Sequence, residues 1–157
     1  MEGTPIGDRK RTLRREMRSL RRGLHDQEER SRRLWTNVEE MPAVTAARVV
    51  MVFDSVPGEP VTAPFMAWCR EHGKTVHLPE DEPPPDPLTI DVVIVPGTAF
   101  TLDGHRLGQG GGWYDRFLQT VRPDCVTIGV AFGPQIVDEL PIEPHDVRLD
   151  HVVTDVS

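Results

Sequence analysis

Residues 106–117 read RLGQGGGWYDRF, with glycines at 108, 110, 111 and 112 between an arginine and a Trp-Tyr-Asp helix start. Glycine at this density lets the backbone adopt positive φ and approach a ligand closely, so several amide N–H groups converge on one anion. The helix opening near Trp113 adds its partial positive end, and Arg106 adds a full charge with a bidentate grip on phosphate oxygens. This is the chemistry of a phosphate cradle. Asp115, inside the first turn of that helix, would repel a phosphate unless a divalent cation lay between them, which points to Mg2+; the alternative role is an acid that favours the helix dipole. The string is not a Walker A loop, because no Lys and Ser/Thr follow the last glycine. It is not a clean G-x-G-x-x-G either, since the sixth position of GQGGGW is Trp113. On spacing alone, a purely structural glycine turn remains the alternative.

A loop of this kind needs a strand before it and a helix after it. IDVVIVPG (90–97) is the most apolar run and reads as a central strand covered on both faces, where polar alternation is lost. RVVMVF (48–53), KTVHL (74–78), VTIGVAF (126–132) and HVVT (151–154) read as further strands. Helical periodicity covers 8–25, where Leu13, Met17, Leu20 and Leu24 share a face, and 27–41, with Asp26 as its N-cap. Helices are also expected over 62–73, from Trp113 to about Thr120, and over PQIVDEL (134–140). Strands alternating with helices predict an α/β fold, a three-layer sandwich with a mostly parallel central sheet and helices on both faces. Ligands in such sheets bind beyond the carboxyl ends of the strands. Segments 54–60, 96–115 and 133–135 should therefore share one end of the molecule.

The length of 157 residues fits one domain, 1–157, with a basic N-terminal helix over 8–25. Residues 79–88, PEDEPPPDPL, carry five prolines and four acids, which excludes a helix or a central strand and predicts an extended connector. Charge is uneven: 11 of the 18 Lys and Arg fall within residues 1–33, against 6 of the 25 acids. A basic arm for nucleic acid is one reading of that asymmetry. The overall charge of −7 and the lack of interleaved aromatic residues argue against it, so no nucleic-acid partner is expected. No run approaches the length of a membrane span, and neither a membrane partner nor a secretory signal is expected. Cys69 and Cys125 lack metal-ligand spacing and fit a reducing, cytoplasmic setting as small buried apolar residues. The histidines show no zinc-type spacing.

VPGTAFTLDGHRLGQGGGWYDRFL (95–118) resembles the signature of the 5-formyltetrahydrofolate cyclo-ligase family, also called 5,10-methenyltetrahydrofolate synthetase. KRTLRREMRSLRRGL (10–24), PGE (57–59) and IGVAFGPQIVDELPIEPHDVRLDHVVTD (128–155) resemble other parts of that family in the same order. The resemblance implies an enzyme that uses ATP and Mg2+ to close 5-formyltetrahydrofolate to 5,10-methenyltetrahydrofolate, by phosphoryl activation of the formyl oxygen followed by ring closure. It implies catalytic roles for Lys10 and Arg106. It implies ATP-binding roles for Lys10, Arg14, Arg106, Leu107, Gly108, Gln109, Gly110, Gly111, Gly112, Trp113 and Tyr114. Glu59 matches the glutamate that faces the folate, and Asp115 and Asp146 match the Mg2+-associated aspartates. A monomer or weak homodimer is expected. The sequence departs from the family pattern where EDEPPPDPLT (80–89) replaces a longer middle excursion, where Trp113 replaces Tyr, and where Thr101 replaces Asp. A homologue that retains nucleotide or phosphate binding in a binding or regulatory role is the second function class compatible with these departures.

Overall fold

The computed structural model describes residues 5–156. The chain opens with helix α1 (Ile6–Arg22), α2 (Gln27–Glu39) and the short α3 (Pro42–Ala46), then enters strand β1 (Val49–Met51). Helix α4 (Ala63–Glu71) leads to β2 (Thr75–His77), and the chain continues into β3 (Val92–Val95). A hairpin follows, β4 (Ala99–Phe100) and β5 (Arg106–Leu107), then α5 (Trp113–Leu118), β6 (Val126–Ala131) and β7 (His151–Thr154). The main sheet has the order β2-β1-β3-β6-β7, and every pairing in it is parallel. The β4–β5 hairpin forms a separate antiparallel ladder.

The central position of β3 follows from its composition. Its four residues VVIV are all buried: Val92 and Ile94 enter one apolar cluster, and Val93 and Val95 enter the other. The first cluster packs the sheet against Leu34, Trp35 and Val38 of α2, Val44 of α3 and Phe65 of α4, with Trp35 and Phe65 stacked at 4.6 Å. The second packs it against Leu118, Tyr114 and Phe117 of α5 and against Phe100 of the hairpin. Helices therefore cover both faces of a parallel sheet. Helix α1 takes a different place: Leu13 and Met17 pack against Ala99 and Leu107 of the hairpin, with Leu140 and Val137. The basic helix is thereby laid beside the segment that follows β3.

Several local expectations are corrected. The first helix covers Ile6–Arg22 rather than 8–25, because the chain is capped at Gly23. Asp26 adopts a left-handed conformation (φ 57°) and makes no side-chain cap to α2. The segment PQIVDEL is not a helix. Only Gly133–Gln135 forms a 3-10 turn, in which the Phe132 amide donates to Gln135 Oε1 at 2.9 Å. Beyond it, Ile136 bridges to Phe100 and the Val137 amide donates to the Phe100 carbonyl at 2.8 Å, so the backbone groups a helix would have used serve the hairpin instead. Helix α5 stops at Leu118, two residues short of the expected end. The connector 79–88 contains neither an α-helix nor a strand, but it does not run extended: it turns at 79–80, where the Asp81 amide donates to the Leu78 carbonyl at 3.2 Å, bends at 82–83, and enters a 3-10 turn at Pro87–Thr89 capped by Asp86.

Candidate active site

The site is built where β3 ends. Pro96 and Gly97 leave the sheet, and the hairpin folds back so that the Thr98 amide donates to the Leu107 carbonyl at 2.7 Å. A side chain at Gly97 would stand 2.7 Å from Phe100, so only glycine allows this tight return. Arg106 therefore belongs to a short strand rather than to the loop proper. Its Nε donates to the Pro96 carbonyl at 2.6 Å, and its guanidinium lies 5.2 Å from the centre of the Tyr114 ring. Burial lowers its pKa, although the charges of Asp115, Tyr114 and Asp146 oppose that effect. The same burial pushes the Tyr114 hydroxyl well above its ordinary value. Arg106 is thus a pinned, half-buried cation, placed against an aromatic face.

From Gly108 the chain turns through Gly110 (φ 115°) and Gly112 (φ 72°) into α5, and both conformations belong to the left-handed region that favours glycine. Arg14 of α1 crosses this loop. Its Nε donates to the Gly108 carbonyl at 2.8 Å, and its guanidinium stands 3.7 Å from where a side chain on Gly110 would begin. Helix α5 has only six residues, so its end contributes less field than the longer expected helix would. The positive character of the loop comes from Arg14 and Arg106 and from the glycine amides. Trp113 is 40% exposed and stacks on Phe117 at 5.0 Å, which leaves its outer face to the cleft.

Lys10, one turn before Arg14, is buried and points to the turn 143–146. Its Nζ lies 2.8 Å from Glu143 Oε1 and 2.9 Å from Asp146 Oδ2. Burial alone would lower the lysine pKa, but the hydrogen bonds and charges of the two carboxylates outweigh it and the pKa is raised. Burial would likewise raise Asp146, and the Lys10 and Glu143-amide hydrogen bonds reverse this to a net lowering. Asp115 Oδ1 accepts from the Val147 amide at 3.0 Å, which ties the first turn of α5 to the residue after Asp146. Glu59 sits in the turn after β1, where its Oε1 accepts from the Val56 amide at 2.9 Å; burial raises its pKa against that bond and the charge of Arg21.

All of the expected site residues line one cleft of about 410 Å³: Lys10, Arg14, Glu59, the stretch from Arg106 to Asp115, and Asp146. Leu107 contributes little more than its backbone, because its side chain is buried in the cluster under α1. Pro96 and Gly97, within the segment 96–115 expected at this end of the sheet, also line it, and so do Gly7, Arg11, Glu143 and His145, which were missed in the sequence. Glu143 and His145 flank Asp146 in EPHD, so adjacency to an expected ligand was the one available signal. The connector 79–88 does not line the cleft, yet the charge of Glu80 reaches Tyr114. The apolar walls are limited to Pro96, Leu107, Trp113 and Tyr114. Among the described residues, no group of three or more His, Cys, Asp or Glu converges as a ready-made metal site, and no helix is long and apolar enough to cross a membrane.

The model of the 5-formyltetrahydrofolate cyclo-ligase family matches residues 80–155. The 5-formyltetrahydrofolate cyclo-ligase of Escherichia coli K12 is 33% identical over 174 positions, covering 88% of this chain and 96% of that protein. The chain belongs to the 5-formyltetrahydrofolate cyclo-ligase family. That alignment is longer than the 157 residues of the chain, so part of the relative has no counterpart here. The cyclo-ligase of Mycolicibacterium smegmatis is 44% identical over 79 residues, which are 46% of this chain and 41% of that protein. Among solved structures, the NMR structure of Aquifex aeolicus 5,10-methenyltetrahydrofolate synthetase superposes with a TM-score of 0.81 at 26% identity, covering 94% of this chain and 90% of that one. The family's α/β sandwich is thus the fold of this chain.

Proposed function

We propose that this family member closes 5-formyltetrahydrofolate to 5,10-methenyltetrahydrofolate with ATP and Mg2+, in the cytoplasm. The observation that carries the reading is the convergence on one cleft of Lys10 and Arg14 from α1, Arg106 and the glycines from the β5–α5 segment, and the paired acids Asp115 and Asp146. Phosphoryl transfer requires chiefly positioning and neutralisation of spread negative charge, and this cleft is built for both. Its donor set also fits the metal. Asp146 and Asp115, which bonds the amide of the residue after Asp146, line the same cleft and suit an ion that takes one or two carboxylates and completes its octahedron with water and phosphate oxygens. Bound there, Mg2+ would neutralise charge on the phosphates.

In this reading the glycine amides and Arg14 orient the triphosphate, and Arg106 and Lys10 face the transferring group. Arg106 is held by Pro96 and Tyr114, so little ordering remains to be done at the moment of reaction. The formyl oxygen takes the γ-phosphoryl group and ADP leaves. Nitrogen 10 then attacks the formyl carbon, its proton is lost, and inorganic phosphate departs carrying the former formyl oxygen. Glu59, at the β1 end of the cleft, binds the folate, and Trp113 offers an exposed ring as a stacking surface. The proposal includes a monomer or weak homodimer. The two buried, unpaired cysteines suit a reducing compartment.

Substrate carrying oxygen-18 in the formyl group tests the mechanism. The reading expects one labelled oxygen in each inorganic phosphate released. Methenyl product formed alongside unlabelled phosphate would refute phosphoryl activation of the formyl oxygen.

A further inference from the structure

Lys10 has two carboxylate partners in one turn, and only one of them is an expected metal ligand. Asp146 Oδ2 accepts from Lys10 Nζ at 2.9 Å and from the Glu143 amide at 2.9 Å, while Glu143 Oε1 takes the same ammonium at 2.8 Å. The Asp146 amide in turn donates to the Glu143 carbonyl at 3.0 Å, so the two residues close one rigid turn around the lysine. Glu143 makes no hydrogen bond to any backbone group through its side chain; its carboxylate is spent on Lys10 alone among the described residues. A carboxylate cannot serve an ammonium and a divalent cation equally well, because the two cations repel each other at such short range. Lys10 holds Asp146 through Oδ2, so an ion taking Oδ1 would stand beside the ammonium, and the repulsion between the two cations loosens the Lys10–Asp146 contact.

We propose that Glu143 is a positioning residue that holds Lys10 in the cleft while Asp146 passes from the lysine to magnesium. The proposal rests on the reading of the cleft as a magnesium-ATP site. Glu143 supplies the second anchor, so the ammonium stays aimed at the phosphates instead of competing for Asp146. It also offsets the positive charge that accumulates when metal and lysine stand side by side. Glu143 acts through Lys10 and does not need to touch nucleotide or metal.

The test is calorimetric titration of the whole protein with ATP over a series of Mg2+ concentrations, for wild type, Glu143→Gln, Lys10→Met and the double variant. Gln keeps the shape and the backbone turn while removing the charge. In Glu143→Gln the lysine has only Asp146 left, so the Mg2+ concentration that half-saturates ATP binding should rise roughly tenfold, the equivalent of one charge-assisted contact. Binding of ATP without Mg2+ should not weaken, since a negative charge has been removed from an anion site. In the Lys10→Met background the same substitution should leave the Mg2+ dependence unchanged, because there is no lysine to hold. A Mg2+ shift that persists without Lys10 would make Glu143 a direct metal ligand and overturn the proposal. An equal loss of affinity with and without Mg2+ would reduce it to a structural residue and overturn it too, as would an unchanged half-saturation. If wild-type protein shows no Mg2+-dependent ATP binding, the reading of the cleft fails first and this proposal falls with it.

Discussion

Replacing Gly108 with alanine should weaken ATP binding while leaving the fold intact. The new methyl group would stand 2.8 Å from Arg106 Nη2 and 3.1 Å from Nη1. The backbone itself tolerates alanine, since Gly108 is not among the positive-φ glycines. The guanidinium has to give way, but its Nε is fixed to the Pro96 carbonyl at 2.6 Å and its face rests near Tyr114. It therefore pivots by a few tenths of an ångström and loses alignment with a ligand oxygen. A hydrogen bond involving a charged group contributes about 1.5–3 kcal/mol, and each 1.4 kcal/mol is a factor of ten, so affinity should fall roughly 10- to 100-fold. Calorimetric titration with ATP and Mg2+ measures the loss, and thermal unfolding of the free protein checks that the fold survives. An unchanged dissociation constant in a protein that melts normally would refute the role given to Arg106. A large drop in melting temperature would show instead that the methyl group cannot be absorbed by the side chain.

Two further outcomes follow from the ionisable groups. Lys10 has a raised pKa and Asp146 a lowered one, so their mutual stabilisation is complete between the ordinary carboxylate and lysine values of 3.8 and 10.5; it is lost as pH falls through the folded Asp146 value or rises through the folded Lys10 value. In metal-free urea denaturation, the stability difference between wild type and Lys10→Met should form a plateau from about pH 5 to 9, of roughly 3 kcal/mol at most, and shrink on either side; a difference that does not vary with pH would contradict the ion pair. Burial pushes the thiols of Cys69 and Cys125 up to about 11, so at pH 8 both should resist Ellman's reagent in the native protein and react fully once denaturant is added. Rapid native reaction of either thiol would contradict its burial.

The parts of this molecule that were legible in the sequence are those where one physical cause dominates. VVIV in β3 is apolar at every position because both sheet faces are covered, and the run announces itself. Lys10 and Arg14 are four residues apart on a strongly periodic helix, so their shared face was legible, and the structure carries both to the cleft. The hairpin was not legible, because β4 and β5 have two residues each and no periodicity can be read from two residues. PQIVDEL looked helical because its apolar positions suit either state; the decision came from the Phe100 carbonyl, distant in sequence, which captures the Val137 amide. Asp26 has the right type for an N-cap, but it adopts a left-handed conformation in which its side chain makes no cap hydrogen bond. Glu143 is one acid among 25, and only the approach of Lys10 from the other end of the chain distinguishes it.

The central claim is that this member of the family holds a folate beside the nucleotide. It is tested most directly by mixing the purified chain with 5-formyltetrahydrofolate, ATP and Mg2+ and following the absorbance of 5,10-methenyltetrahydrofolate together with ADP. The predicted result is product and ADP in equal amounts, dependent on both ATP and Mg2+. Protein that binds ATP and Mg2+ but forms no methenyl product would contradict the claim.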